Sequence, residues 1–133
     1  MKSRDTLIRL KRFQAEEKRR RVAQIEAMIA EFTRMASDLD REIALEEQRN
    51  GITDMSHYAY STYARAARVR RDNLNQSTDD LRPQLEDARA RHGEALEELT
   101  KAQSLESREK SDRLEPARER IDVDMIGLGA PRL

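Results

Sequence analysis

Residues 22–46 read VAQIEAMIAEFTRMASDLDREIALE, and this stretch decides the fold. Apolar or small side chains recur at Val22, Ile25, Ile29, Phe32, Ala36, Leu39 and Ile43, in alternating steps of three and four. A stripe of two positions in seven is too narrow for a helix in a globular core, and it is what one helix needs to wind against another. A second stripe follows downstream. Its steps run through Tyr60, Tyr63, Ala67, Arg70, Leu74, Ser77 or Thr78, Leu81, Leu85, Ala88, His92, Ala95, Leu99 and Ala102.

Between the two stripes lies Arg49-Asn50-Gly51-Ile52-Thr53-Asp54-Met55-Ser56, with a turn dipeptide at Asn50-Gly51 and capping candidates in Thr53, Asp54 and Ser56. A short connection between long helices makes antiparallel neighbours. The expected fold is therefore all-α, a long antiparallel two-helix coiled-coil hairpin whose second helix is the longer. It is a single domain over residues 1–133, with helix one at about 2–49, the turn at about 50–56, helix two at about 57–124 and a loose tail at 125–133. Folding the chain about Thr53 sets Ile43 opposite Tyr63, Leu39 opposite Ala67, Phe32 opposite Leu74, Ile25 opposite Leu81, Val22 opposite Leu85 and Ile8 opposite Leu99. Large side chains meet slimmer ones, as knobs-into-holes packing prefers. The fit breaks at Lys11, Ala15 and Lys18, which face Ala95, His92 and Ala88, and the hairpin is expected to be loosest there.

Composition agrees. With 39% charged and 4% aromatic residues, four Gly, no Trp and no Cys, the chain is too polar to enclose a globular core and matches a charged, periodic coiled coil. Disorder competes for so polar a chain, but the sustained apolar register argues against it. The start of the chain has no apolar run of signal-peptide length, and no segment approaches the roughly 20 apolar residues of a membrane span. The expected setting is the cytoplasm, with no direct membrane insertion. Cysteine's absence removes thiol chemistry and leaves the redox compartment open.

Charge is balanced in total, 26 basic against 26 acidic residues, yet uneven along the chain. Residues 1–21 are basic, through Lys2, Arg4, Arg9, Lys11, Arg12, Lys18 and Arg19-Arg20-Arg21, whereas Glu94–Asp124 is acid-rich. An antiparallel hairpin lays these segments side by side, where ion pairs choose register and orientation more than they add stability. A continuous second helix would span about 100 Å against about 70 Å for the first. Residues beyond Ala102 would then overhang, leaving Leu105, Leu114, Ile121, Met125 and Ile126 exposed, frayed or reserved for another protein. Pro83 is expected to remove a hydrogen bond and bend the second helix, Pro116 to interrupt it, and Gly127, Gly129 and Pro131 to end it.

No enzyme is expected. His57 and His92 stand too far apart on a hairpin to share a metal, and there is no Cys, phosphate loop or nucleophile elbow, so neither metal nor cofactor is expected. The Arg19-Arg20-Arg21 run sits among acids, a poor nucleic-acid footprint. Tyr58, Tyr60 and Tyr63 crowd the start of the second helix, either anchoring a partner or capping the coiled coil.

The basic opening Leu7-Ile8-Arg9-Leu10-Lys11-Arg12-Phe13, the turn with Gly51-Ile52, the nearby Tyr60-Ser61-Thr62-Tyr63 and the longer second helix together resemble the FliJ family, coiled-coil stalk proteins of the flagellar type III export apparatus. The resemblance covers nearly the whole chain. It implies a monomeric, non-enzymatic stalk or adaptor that inserts the end carrying both termini into the export ATPase hexamer. It also implies contact with the cytoplasmic part of the export-gate membrane protein and with export chaperones, at the cytoplasmic side of the inner membrane. Contacts with the ring are assigned to Arg9, Lys11, Arg12, Arg19 and Arg20. The family's gate-facing positions fall at Tyr63, Ala67, Arg70 and Leu74, where Ala67 is smaller than usual and Arg70 brings a charge. A generic coiled-coil scaffold and a tentacle-like chaperone, with Ile52, Met55 and Tyr58 at its tip, are the alternatives.

Overall fold

A computed structural model describes the backbone of residues 2–129 and the side chains of residues 3–114. The protein is all-α. Helix α1 spans Lys2–Asn50 and helix α2 spans Thr62–Gly129, so the second is the longer. The chain forms two compact units, Glu17–His92 and Met1–Glu16 with Gly93–Leu133. The division falls within the polar part of the expected seam.

In Glu17–His92 the two arms run antiparallel. Glu47 meets Tyr60 and Arg68 near the turn, and Glu26 meets Arg89 far from it, so numbers rise on one helix as they fall on the other. Ile25, 1% exposed, packs with Leu81 and Ala88 in one apolar cluster, flanked by Val22, Ile29, Phe32 and Leu85. Leu39, Ile43 and Ala67 form a second cluster with Leu74 against it. The α1 stripe predicted from Val22 to Ile43 is thus the buried stripe, and the Leu39–Ala67 and Ile25–Leu81 pairs share clusters.

The α2 register differs from expectation at its start. The buried steps are Tyr60, Ala64 and Ala67, followed by half-buried Arg71 and Leu74 and then buried Thr78 and Leu81. This is an unbroken alternation of four and three, in which Ala64 and Arg71 replace Tyr63 and Arg70. Ala64 is small enough to let the helices approach, and it is fully buried. Arg71 lays its stem along the seam and delivers its guanidinium to Asp40 at 2.9 Å.

The connection is longer than predicted. Helix α1 stops after Asn50 because Gly51 takes φ +70°, and its N–H donates to the Glu47 carbonyl at 2.9 Å, an αL C-cap. Thr53, Asp54 and Ser56 do not cap α2. Instead Asp54 Oδ1 accepts from the Ser56 N–H and hydroxyl at 3.0 and 2.8 Å, folding an Asx turn. The N-cap is Ser61, whose Oγ accepts from the Ala64 N–H at 3.2 Å while its carbonyl accepts from the Arg65 N–H at 3.0 Å. Residues 57–61 therefore belong to the loop, and α2 begins at Thr62.

In the unit of Met1–Glu16 with Gly93–Leu133, Ile8, Ala15 and Ala102 are buried. Lys11 donates to Glu98 Oε2 at 2.9 Å, Arg4 pairs with Glu109, and Arg4 Nη1 donates to the Leu105 carbonyl at 3.1 Å. Partners on α1 therefore extend to Glu109, so the expected unpartnered stretch does not start at Ala102. The shift follows from the longer loop, which moves the fold axis toward higher numbers. Leu105 and Leu114 are exposed, and the side chains of Ile121, Met125 and Ile126 lie outside the described residues. Helix α2 runs through Pro83 and Pro116 to Gly129 without interruption, and Pro131 lies outside the described backbone. Pro83 is exposed.

Candidate partner-binding surfaces

The five basic residues expected at a ring are divided between the units. Arg9, Lys11 and Arg12 belong to one, Arg19 and Arg20 to the other. Lys11 sits at a seam position, half-buried, with its ammonium on Glu98, and this hydrogen bond holds the Glu98 carboxyl below its ordinary range. Its charge is already engaged within the hairpin. Arg9, Arg12 and Arg20 are exposed and make no ion pair among the described residues, and Arg19 is exposed with a partner of its own. Apolar side chains accompany the outward cations of the N-terminal arm: Leu7, Leu10 and Phe13 are all exposed, Phe13 by 56%.

The four positions early in α2 do not present one face. Ala67 is 4% exposed and lies in the cluster with Leu39 and Ile43, with Leu74 packed against the same cluster. Tyr63 stands outside the seam, 57% exposed, and donates its hydroxyl to Glu42 Oε2 at 2.9 Å. That bond to a carboxylate raises the phenol's pKa. Tyr63 also borders a shallow groove with Glu42, Leu45, Glu46 and Arg49. Arg70 is exposed and lines another with Met35, Asn73, Leu74 and Ser77. Spacings of four, seven and eleven put these residues close in projection, but the seam passes through the stripe and takes two of the four.

The tyrosines divide. Tyr60 is buried, and its hydroxyl donates to Glu47 Oε1 at 3.1 Å while accepting from Arg68 Nε at 2.8 Å. Arg68 Nη2 donates to the same Glu47 oxygen at 2.6 Å, and the Arg65 guanidinium lies 5.3 Å from the Tyr60 ring centre. The bond from Arg68 holds the Glu47 carboxyl low, and the bonds to Tyr60 and Glu47 hold Arg68 high. This triad closes the turn end as a structural clasp. Sequence reasoning missed it; the spacing of Arg68 from Arg71, three residues apart opposite the acidic run Asp40–Glu47, was the signal available. Tyr58 is 97% exposed and stacks on His57 at 4.7 Å, with Met55 exposed nearby. Arg65 Nη2 donates to the Met55 carbonyl at 2.8 Å and ties the loop to α2.

Among the described residues no cluster of His, Asp and Glu is arranged to hold a metal ion, and no helix is long and apolar enough to cross a membrane. No family model, curated protein or solved structure matches the chain.

Proposed function

We propose that the chain is a non-enzymatic stalk or adaptor of a bacterial flagellar type III export apparatus, bound to the export ATPase ring through its basic N-terminal arm. The observation that carries this reading is the set of exposed cations Arg9, Arg12 and Arg20 on a helical hairpin whose second helix is the longer. Helical arms without globular additions fit inside a ring, and exposed charges raise association rates and select partners. Lys11 supports the hairpin through Glu98, so its part in ring binding is indirect. Export-gate contact falls to Tyr63 and Arg70, with Leu74 at the groove beside Arg70, because Ala67 is covered.

The test reverses Arg9, Arg12 and Arg20 to Glu and leaves Lys11 in place. Circular dichroism should show an intact helical signal, and binding to an export ATPase should weaken and lose salt sensitivity, since the removed attraction is a screened one. Unchanged ATPase binding by the folded variant would overturn the ring assignment.

A second reading, a tentacle-like chaperone, is favoured by one observation: Met55 and Tyr58 stand exposed on the loop between the helices. Suppression of aggregation of a denatured client, abolished by Tyr58→Ser with Met55→Ser, would support it over the stalk.

A further inference from the structure

The seam of the Glu17–His92 unit has two flanks of different chemistry. Along one flank run the ion pairs that join α1 to α2: Glu47 with Arg68, Asp40 with Arg71 and Glu26 with Arg89. The other flank carries Arg21 and Met28 on α1 and Gln84 and Arg91 on α2, each pair spaced by seven. Among the described residues of this unit no ion pair between the helices crosses there, and the Tyr63–Glu42 hydrogen bond lies at its turn end.

On that second flank a groove of about 1180 Å³ opens between residues 17–25 and 83–91. Its apolar lining consists of the buried Ile25 and Ala88 and the exposed Ala23 and Pro83. Four cations surround it, Lys18, Arg20, Arg21 and Arg91, against two carboxylates, Glu17 and Asp87. Arg91 is held by Asp87 at 2.9 Å and Arg21 by Gln24 at 2.9 Å, both within their own helices. Lys18 and Arg20 have no such partner among the described residues.

We propose that this groove is a docking site for an acidic amphipathic helix of a partner protein. The groove runs along two helices for about two turns, a length and shape that suit a third helix laid beside them. A narrow apolar stripe on that helix would lie over the exposed Ala23 and Pro83, beside the buried Ile25 and Ala88, and carboxylates beside the stripe would face Lys18 and Arg21. The excess of cations selects an acidic helix over a basic one. The absence of cross-helix ion pairs leaves this flank open to an added helix, where the opposite flank is already closed.

The probe is a fluorescein-labelled synthetic peptide of three heptads, with Leu at the two seam positions and Glu on both flanks. Anisotropy titration against the full chain should give saturable binding, weakened at least tenfold by Lys18→Glu with Arg21→Glu and, independently, by Ala23→Glu. Ala23 is exposed, so that variant keeps the hairpin intact, as circular dichroism verifies. Arg82→Glu, whose partner Asp79 is on its own helix, should bind the peptide as wild type does. A scrambled peptide of equal charge and a peptide with Lys for Glu should each bind at least tenfold more weakly. Equal binding of either control peptide, or undiminished binding by both groove variants, would overturn the proposal. So would sedimentation showing that the chain alone dimerises through Lys18 and Arg21, which would give the groove to a second copy. Lys18 and Arg21 stand outside the residues proposed for ring contact, so failure here leaves that reading in place.

Discussion

Arg68 donates from Nη2 to Glu47 Oε1 at 2.6 Å, and Tyr60 donates to the same oxygen at 3.1 Å. The folded pKa of Glu47 is therefore depressed, chiefly by the Arg68 bond. A depressed carboxyl contributes stability above its unfolded pKa and loses that contribution as pH falls through the folded value. The melting temperature of the wild type should fall from about pH 5 downward. Glu47→Gln should melt earlier than wild type at pH 7, and the gap should narrow in acid. A gap that stayed constant from pH 7 to pH 3 would show that the charge on Glu47 contributes nothing.

Ile25 and Tyr63 should respond oppositely to truncation. Ile25→Ala removes a side chain buried between Leu81 and Ala88 and should cost about 2–5 kcal/mol in urea unfolding. Tyr63→Ala removes an exposed ring and one surface hydrogen bond, and should cost a small fraction of that. A Tyr63 variant as damaged as the Ile25 variant would return Tyr63 to the seam.

Thr78 occupies a buried seam position, and its Oγ1 has no hydrogen-bond partner among the described residues. Thr78→Val keeps the shape and removes the unsatisfied hydroxyl, so it should stabilise the protein by about 1–3 kcal/mol. No gain would show that water satisfies the hydroxyl.

The two caps should fail for different reasons. Gly51→Ala meets no atom within 4 Å but must hold φ +70°, which should cost about 1 kcal/mol through backbone strain alone. Ser61→Ala loses the acceptor for the Ala64 N–H and should cost about 1 kcal/mol at the start of α2. Nitroxide labels at Met28 and Ser77 should still report a short distance within one molecule of each variant, and a distance seen only between molecules would replace the hairpin with a dimer.

The α1 stripe was legible because its seam from Val22 to Ile43 is apolar or small throughout, and Asn50-Gly51 marked the end of the helix. The start of α2 was not, because the large ring of Tyr63 offers more apolar surface than Ala64 and nothing in an arginine's polarity announces that Arg71 can lie on a seam. Pro116 reads as a helix breaker locally, yet α2 continues through it. Of the expected surface sites, the exposed basic residues were readable from charge. The loss of Ala67 to the core, and the Glu47–Tyr60–Arg68 clasp, depend on a register that only the packed pair fixes.

Arg4 bonds to a carbonyl 101 positions further along the chain, whereas Glu47 and Tyr60 are 13 positions apart. Pairing near the turn closes a short loop and can form early, while each added turn toward the ends closes a longer one. During synthesis the far end of α1, made before any of α2, is the last part of the hairpin to find its partners. Arg4, Ile8 and Lys11 travel without their packed surroundings until the segment carrying Glu98, Ala102 and Leu105 has left the ribosome. The dense positive charge of residues 1–21 gives that waiting segment a means of staying in solution, with like charges on neighbouring chains repelling one another.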